Sequence, residues 1–180
     1  MSKIQYFIIV IMLSLTTGVI AGNKSVDTLI DNLDITLTVI DSDMFIARTM
    51  NKNIEISNGT IVFLGSEATD LVKLHEIGHI VNKHVETRHK LAIQLITECA
   101  KNYTIDTCKV SYKVDKSYIA MNIAHEKQAD MYAFTHAKAY GMNADVCNVF
   151  KQLQALTHNT TDIYHPSLAS RYEQCMITLK

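Results

Sequence analysis

The heptapeptide LHEIGHI, residues 74–80, places His75 and His79 four positions apart with Glu76 between them. On a helix, residues i and i+4 share one face and lie about 6 Å apart. That separation lets two imidazoles reach one tetrahedral zinc ion at roughly 2.0–2.1 Å each. Glu76, rotated about 100° from His75 around the helix, would flank the metal rather than ligate it. From there its carboxylate can take a proton from a water whose pKa zinc lowers toward about 7, which prepares that water for attack on a carbonyl carbon. Two histidines at this interval also occur on helices that hold no metal. Gly78 favours the chemical reading: a mid-helix glycine costs about 1 kcal/mol relative to alanine, so its presence implies that another backbone packs closely there.

A catalytic zinc usually takes three protein ligands and keeps one position open. The best source of the third is AHEKQADMYAF, in which Glu126 and Asp130 fall four apart on one predicted helical face. Glu126 is the candidate ligand. Asp130, one turn further on, could accept the free N–H of a ligand histidine, fixing its tautomer and raising its basicity. Acidic pairs more often mark a solvated face, but Ile123, Ala129, Met131, Ala133 and Phe134 make this helix largely apolar. Carboxylates on a buried helix need a partner. His125 points about 100° away from Glu126 and has no histidine at position 129 to complete a second HExxH. It reads, with His84, His89, His136 and His158, as a lone core or surface histidine.

The elements that must position these groups follow from periodicity. SVDTLIDNL is a short helix with Ser25 as its N-cap. ITLTVID, MFIARTM and NIEIS read as strands. Asn58-Gly59 is a two-residue hairpin signal that returns the chain into TIVFLG as a fourth strand. Ser66 then caps a helix whose Leu71, Leu74, Ile77, Ile80 and Val81 form a stripe through the histidine motif. A break near Thr87 separates it from a second helix, LAIQLITEC, and the pattern is helical again from about Asp115 to Tyr140, with Gly141 as C-cap. Asn143 opens a further helix, THNTTDIY is a loop, and a last helix follows Pro166. The expected class is α+β: a small, mostly antiparallel sheet packed on a helical bundle that carries the HExxH and ExxxD helices.

The 180 residues suit one domain, and the net charge of −1 gives no electrostatic reason to expect a nucleic-acid partner. The N-terminus reads as an export signal over residues 1–21, with Lys3, an apolar run from Tyr6 to Leu15, and Val19-Ile20-Ala21 at the cleavage position. Residues 22–180 then form the domain. The protein is expected in the periplasm or outside the cell, with membrane contact only if the N-terminal segment stays uncleaved as an anchor. The cysteines, Cys99, Cys108, Cys147 and Cys175, are even in number and show no CxxC spacing, which suits an oxidising compartment. Four cysteines allow three connectivities, and proximity favours Cys99–Cys108 and Cys147–Cys175.

HEIGH, followed about fifty residues later by Glu126-Lys127-Gln128-Ala129-Asp130, resembles the gluzincin pattern of the M48 metallopeptidases. The segment HPSLASR, His165 to Arg171, is similar to the family's downstream His-Pro…Arg element. The resemblance spans about Leu33 to Glu173 and implies a zincin-like fold. It implies one Zn²⁺ per chain held by His75, His79 and Glu126, with Glu76 as general base and Asp130 orienting a ligand. It further implies that His165 stabilises the oxyanion formed on a peptide carbonyl and that Arg171 holds substrate backbone or braces the acidic helix. The chain departs from the family in reading DSDMFIARTM where an Asn-Ala pair is common, and in lacking a series of apolar spans. The expected activity is zinc-dependent endopeptidase, acting on a peptide or protein substrate. Two alternatives stay open on the residues alone: an exported binding or chaperone-like module stabilised by zinc, and a zinc hydrolase of non-peptide amides.

Overall fold

The computed structural model describes residues 25–156 and 163–180. The expected signal segment and most of the THNTTDIY loop, with His158, lie outside the described residues. The order is α1 (Val26–Asn32), β1 (Thr36–Ile40), β2 (Ala47–Met50), β3 (Asn53–Ser57), α2 (Asn58–Val81), α3 (His84–Cys99), α4 (Ile105–Ser111), α5 (Lys116–Ala137), α6 (Asn148–Leu156) and α7 (Leu168–Leu179). The class is α+β, as expected. Ser25 caps α1 by accepting the Thr28 N–H at 3.1 Å. Asp115 does the same for α5, accepting from Ser117 and Tyr118. Each cap satisfies backbone donors that the first helical turn leaves without an intrahelical partner.

The sheet is mixed rather than mostly antiparallel. Its order is β1-β3-β2, with β1 parallel to β3 (Thr36↔Asn53 through Ile40↔Ser57) and β2 antiparallel to it (Ala47↔Ile56 through Met50↔Asn53). Residues 41–46 carry the chain past the position that β3 will fill. Their end is tied to the start of α2: the Ile46 N–H donates to Thr60 Oγ1 at 2.8 Å, and the Ser57 hydroxyl donates to the Met44 carbonyl. The β2–β3 hairpin turns at Asn51, in the left-handed region with φ 55°, a conformation asparagine tolerates better than most residues.

Asn58-Gly59 is therefore not a hairpin, and TIVFLG is not a strand. Ser57 accepts the Thr60 N–H at 3.1 Å and starts α2. Gly59 is required by crowding, since a Cβ there would lie 2.2 Å from the Asp43 carbonyl oxygen. A run of four apolar residues reads equally as strand or helix, and burial settles it. Ile61 and Leu64 pack on the core, whereas Val62 is 84% exposed, a spacing that belongs to a helix. Gly65, at φ 75°, kinks α2 just before Ser66.

The break after the histidine motif comes at Lys83, φ 56°, not near Thr87. Between Cys99 and Asp115 the chain forms a further helix, α4, capped by Thr104. Both expected disulfides are present, Cys99–Cys108 and Cys147–Cys175. They fit an oxidising compartment. Among the described residues, no helix is long and apolar enough to cross a membrane.

The core lies between the sheet and the long pair α2 and α5, with Ile54 and Ile56 of β3, Leu74 and Ile77 of α2, and Phe134 of α5 almost wholly buried. Gly78 lets the two long helices touch, because a Cβ there would fall 2.9 Å from Ala129 Cα and 3.1 Å from its carbonyl oxygen. The close backbone approach expected from the sequence is real, and its partner is the helix that carries Glu126.

Candidate metal centre

Helices α2 and α5 bring His75, His79 and Glu126 together. One ligand atom from each lies within 4.8 Å of the others, so the group could hold a metal ion. The two Nε2 atoms are 3.1 Å apart. Glu126 Oε2 sits 3.1 Å from His75 Nε2, and Oε1 sits 3.4 Å from His79 Nε2. Tetrahedral bonds of 2.0–2.1 Å imply donor–donor edges of about 3.3 Å, so the three groups already stand at coordination spacing. Glu126 Oε2 is buried, and the ring nitrogens of His75 and His165, at 3.1 and 3.4 Å, are its ion-pair partners without a well-aligned hydrogen bond. A buried ionised oxygen needs close positive charge, which an imidazolium or a bound cation at this position would supply. The donor set fits a metal ion.

Each histidine is held through its other nitrogen. Asp130 Oδ1 is 2.9 Å from His75 Nδ1, which places a ring proton on Nδ1 and leaves Nε2, facing Glu126, as the nitrogen a metal would take in place of a proton. Arg171, on α7, grips the same carboxylate, donating from Nε to Oδ2 at 2.8 Å and from Nη2 to Oδ1 at 2.6 Å. Of the two roles expected for Arg171, this geometry supplies the bracing of the acidic helix. Asp130 stands where the sequence placed it, on the free nitrogen of a candidate ligand.

Electrostatics agree with geometry. Burial works against the His75 imidazolium, but hydrogen bonds to Asp130 and Glu126 outweigh it and raise the ring to about 9. Burial likewise pushes the Glu126 carboxyl up, and the His75 and His79 rings overcome it and hold Glu126 well below the usual carboxylate range. Asp130 is lowered against its own burial by His75 and Arg171. The neighbouring rings and Arg171 thus keep both carboxylates ionised, the form in which Glu126 could ligate a cation and Asp130 could orient a ligand.

Glu76 is nearly buried, at 6% exposure. Its Oε2 accepts a hydrogen bond of 2.5 Å from the Thr49 hydroxyl on β2. His75, Glu76, His165 and Arg171 line one cavity of about 150 Å³ whose remaining wall is largely apolar, including Phe45, Leu71, Val149 and Leu153. His165 stands at its rim, with 41% of its side chain exposed and its Nε2 3.4 Å from Glu126 Oε2. All the expected site residues thus meet in one region of the fold.

Sequence reasoning missed Thr49, which only the alternation of β2 could have turned toward α2. It also read His84 and His125 as isolated, and the structure corrects this. His84 Nδ1 lies 3.0 Å from His79 Nδ1, and the His125 ring stacks on His84 at 4.1 Å. The signal was present in the five-residue step from His79 to His84, but its meaning depends on the left-handed turn at Lys83. Comparison with protein-family models, curated proteins and solved structures finds no match to this chain.

Proposed function

We propose that the chain is an exported zinc-dependent endopeptidase with a zincin-like, M48-like catalytic domain. The observation that carries the reading is the buried Glu126 carboxylate set at coordination spacing from the Nε2 atoms of His75 and His79, with Glu76 on the wall of the adjoining cavity. Two nitrogens and one carboxylate oxygen are a donor set typical of catalytic zinc, whereas structural sites are normally closed by four protein ligands. The two disulfides support export. Bound there, zinc would supply Lewis acidity toward a peptide carbonyl and would acidify a water.

The chain's own residues do the rest. Thr49 holds Glu76 Oε2, so the carboxylate is fixed as it takes a proton from the attacking water and returns it to the leaving amine nitrogen. His165 donates a hydrogen bond to the carbonyl oxygen as negative charge develops on it. Asp130 and Arg171 keep His75 in the required tautomer. The apolar wall takes an apolar substrate side chain, and β2, an edge strand among the described residues, offers its outer side to an extended substrate backbone.

The test joins metal analysis to peptide cleavage. The wild-type chain is expected to hold about one zinc, and His75→Ala and Glu126→Ala far less. Glu76→Gln should keep its zinc and lose at least about a hundredfold in peptide cleavage. If wild type and Glu76→Gln are equally inert with zinc bound, the endopeptidase reading is wrong and a zinc-stabilised binding module replaces it. Undiminished zinc in Glu126→Ala would refute the third ligand.

A further inference from the structure

His79 is held differently from His75. Among the described residues no carboxylate meets its Nδ1; the partner is another imidazole, His84, which is 1% exposed and opens α3. Lys83 makes this possible, because its left-handed φ of 56° folds α3 back on the end of α2 and sets His84 over His79. The far nitrogen of His84 lies 2.8 Å from Gln128 Oε1 on α5. The ring of His125, parallel to within 9°, closes one face of His84.

A contact of 3.0 Å between two ring nitrogens requires that one carry a proton and the other a lone pair. An amide oxygen can only accept, so Gln128 Oε1 places the His84 proton on Nε2 and leaves a lone pair on Nδ1. His79 must then donate from its own Nδ1, and its Nε2 lone pair faces His75 and Glu126. With the Gln128 amide turned over, every proton in the chain would shift, and His79 would present an N–H to the metal position. Only the first order is compatible with ligation.

We propose that His84 is a positioning residue of the metal centre, accepting the Nδ1 proton of His79 while Gln128 fixes its own tautomer. The inference rests on the reading of His75, His79 and Glu126 as metal ligands. It gives the relay His79–His84–Gln128 the task that Asp130 and Arg171 perform for His75. The relay also links α2, α3 and α5 across the back of the centre.

The experiment uses the full chain, zinc and ¹⁵N-labelled histidine. In the zinc-loaded wild type, His79 should carry its proton on Nδ1, with scalar coupling across the hydrogen bond to His84 Nδ1. His84→Leu removes the acceptor and should weaken zinc binding about 10- to 100-fold in a chelator competition, the range typical for loss of a ligand-orienting partner. His84→Asn sets an amide oxygen near the position of Nδ1 and should stay within about threefold of wild type. Gln128→Leu changes an exposed residue, keeps the fold if His84→Leu does not, and should weaken zinc several-fold. The proposal is overturned if His79 binds zinc through Nδ1, if no coupling to His84 exists, or if the Leu and Asn variants bind zinc equally well. A wild-type chain that takes up no zinc would overturn the centre itself, an outcome the same titration separates from failure of the relay.

Discussion

Replacing Gly78 by alanine sets two effects of opposite sign against each other. Helix propensity alone would favour the change by about 1 kcal/mol. The new Cβ, however, would sit 2.9 Å from Ala129 Cα, 3.1 Å from Ala129 O and 3.1 Å from Tyr132 Cβ. Carbon atoms rest at about 3.5–4.0 Å, so α2 and α5 must separate by roughly 0.6 Å. No rotamer change relieves the clash, since all three atoms are backbone or Cβ and move only with α5. Overpacking of this kind costs about 1–3 kcal/mol, which leaves a net destabilisation of about 0–2 kcal/mol. The larger effect falls on the centre. His75 and His79 ride on α2 and Glu126 rides on α5, one turn from Ala129. Ligand distances tolerate only about 0.2 Å, so the separation should weaken zinc at least about tenfold. Zinc affinity by competition with a chromophoric chelator, together with thermal unfolding of loaded and chelated protein, reads both effects. A Gly78→Ala chain that binds zinc like wild type and unfolds at a higher temperature would show that propensity dominates and that the close contact does not set the metal geometry.

Two further outcomes follow from the charges and the crosslinks. In chelator-treated protein, His75 is raised from 6.5 to about 9, so its stabilisation is complete below pH 6.5 and is lost as pH rises through about 9. Glu126 and Asp130 are lowered, so theirs is present above the ordinary carboxylate range and is lost on acidification. Burial lowers His84, to about 4, and His125, so their contribution is lost as pH falls below 6.5. Metal-free protein should therefore be most stable near pH 6.5 and should lose on the order of 3 kcal/mol between pH 6.5 and 9. Zinc takes the place of the proton and should abolish that alkaline decline; a flat melting temperature for chelated protein across this range would refute the assignment. Cys147–Cys175 closes a separation of 28 residues and ties the turn before α6 to α7, so replacing both cysteines by serine should cost about 3–4 kcal/mol in urea unfolding. Because Cys175 lies one turn beyond Arg171, the same variant should also weaken zinc, and unchanged affinity would show that α7 holds Arg171 without the crosslink.

Where a local signal coincided with a local cause, the sequence was legible. Ser25, Gly141 and the 3.6-residue stripes of α2 and α5 mark elements whose caps and buried faces are set within a few residues. Reading failed where a distant contact decided the outcome. Asn58-Gly59 suits a hairpin in isolation, yet Asp43 and Ser57 make it the first turn of a helix. Strand polarity was hidden for the same reason, since nothing within TLTVI specifies a parallel neighbour seventeen residues away. The site itself was readable because its ligands lie on two long helices with i, i+4 spacing, and Gly78 announced the close approach that joins them. Thr49 and His84 were not, because a hydroxyl on a strand and a histidine beyond a helix end acquire roles only through the packing of β2 and the turn at Lys83.

The two imidazoles are not equivalent, and the asymmetry has a direction. His75 donates to a carboxylate that Arg171 holds in turn, so negative charge stands behind its ring and raises its donor strength. His79 donates to a neutral-capable ring whose own proton ends on an amide, so its orientation is fixed without added charge. A carboxylate at both positions would place three ionised groups around two imidazoles in a buried site, where like charges within a few ångströms are strongly unfavourable. Glu126, Asp130 and Glu76 set against Arg171 give a formal charge of −2, so an imidazole–amide relay orients the second ligand while leaving the local charge close to what one divalent cation neutralises.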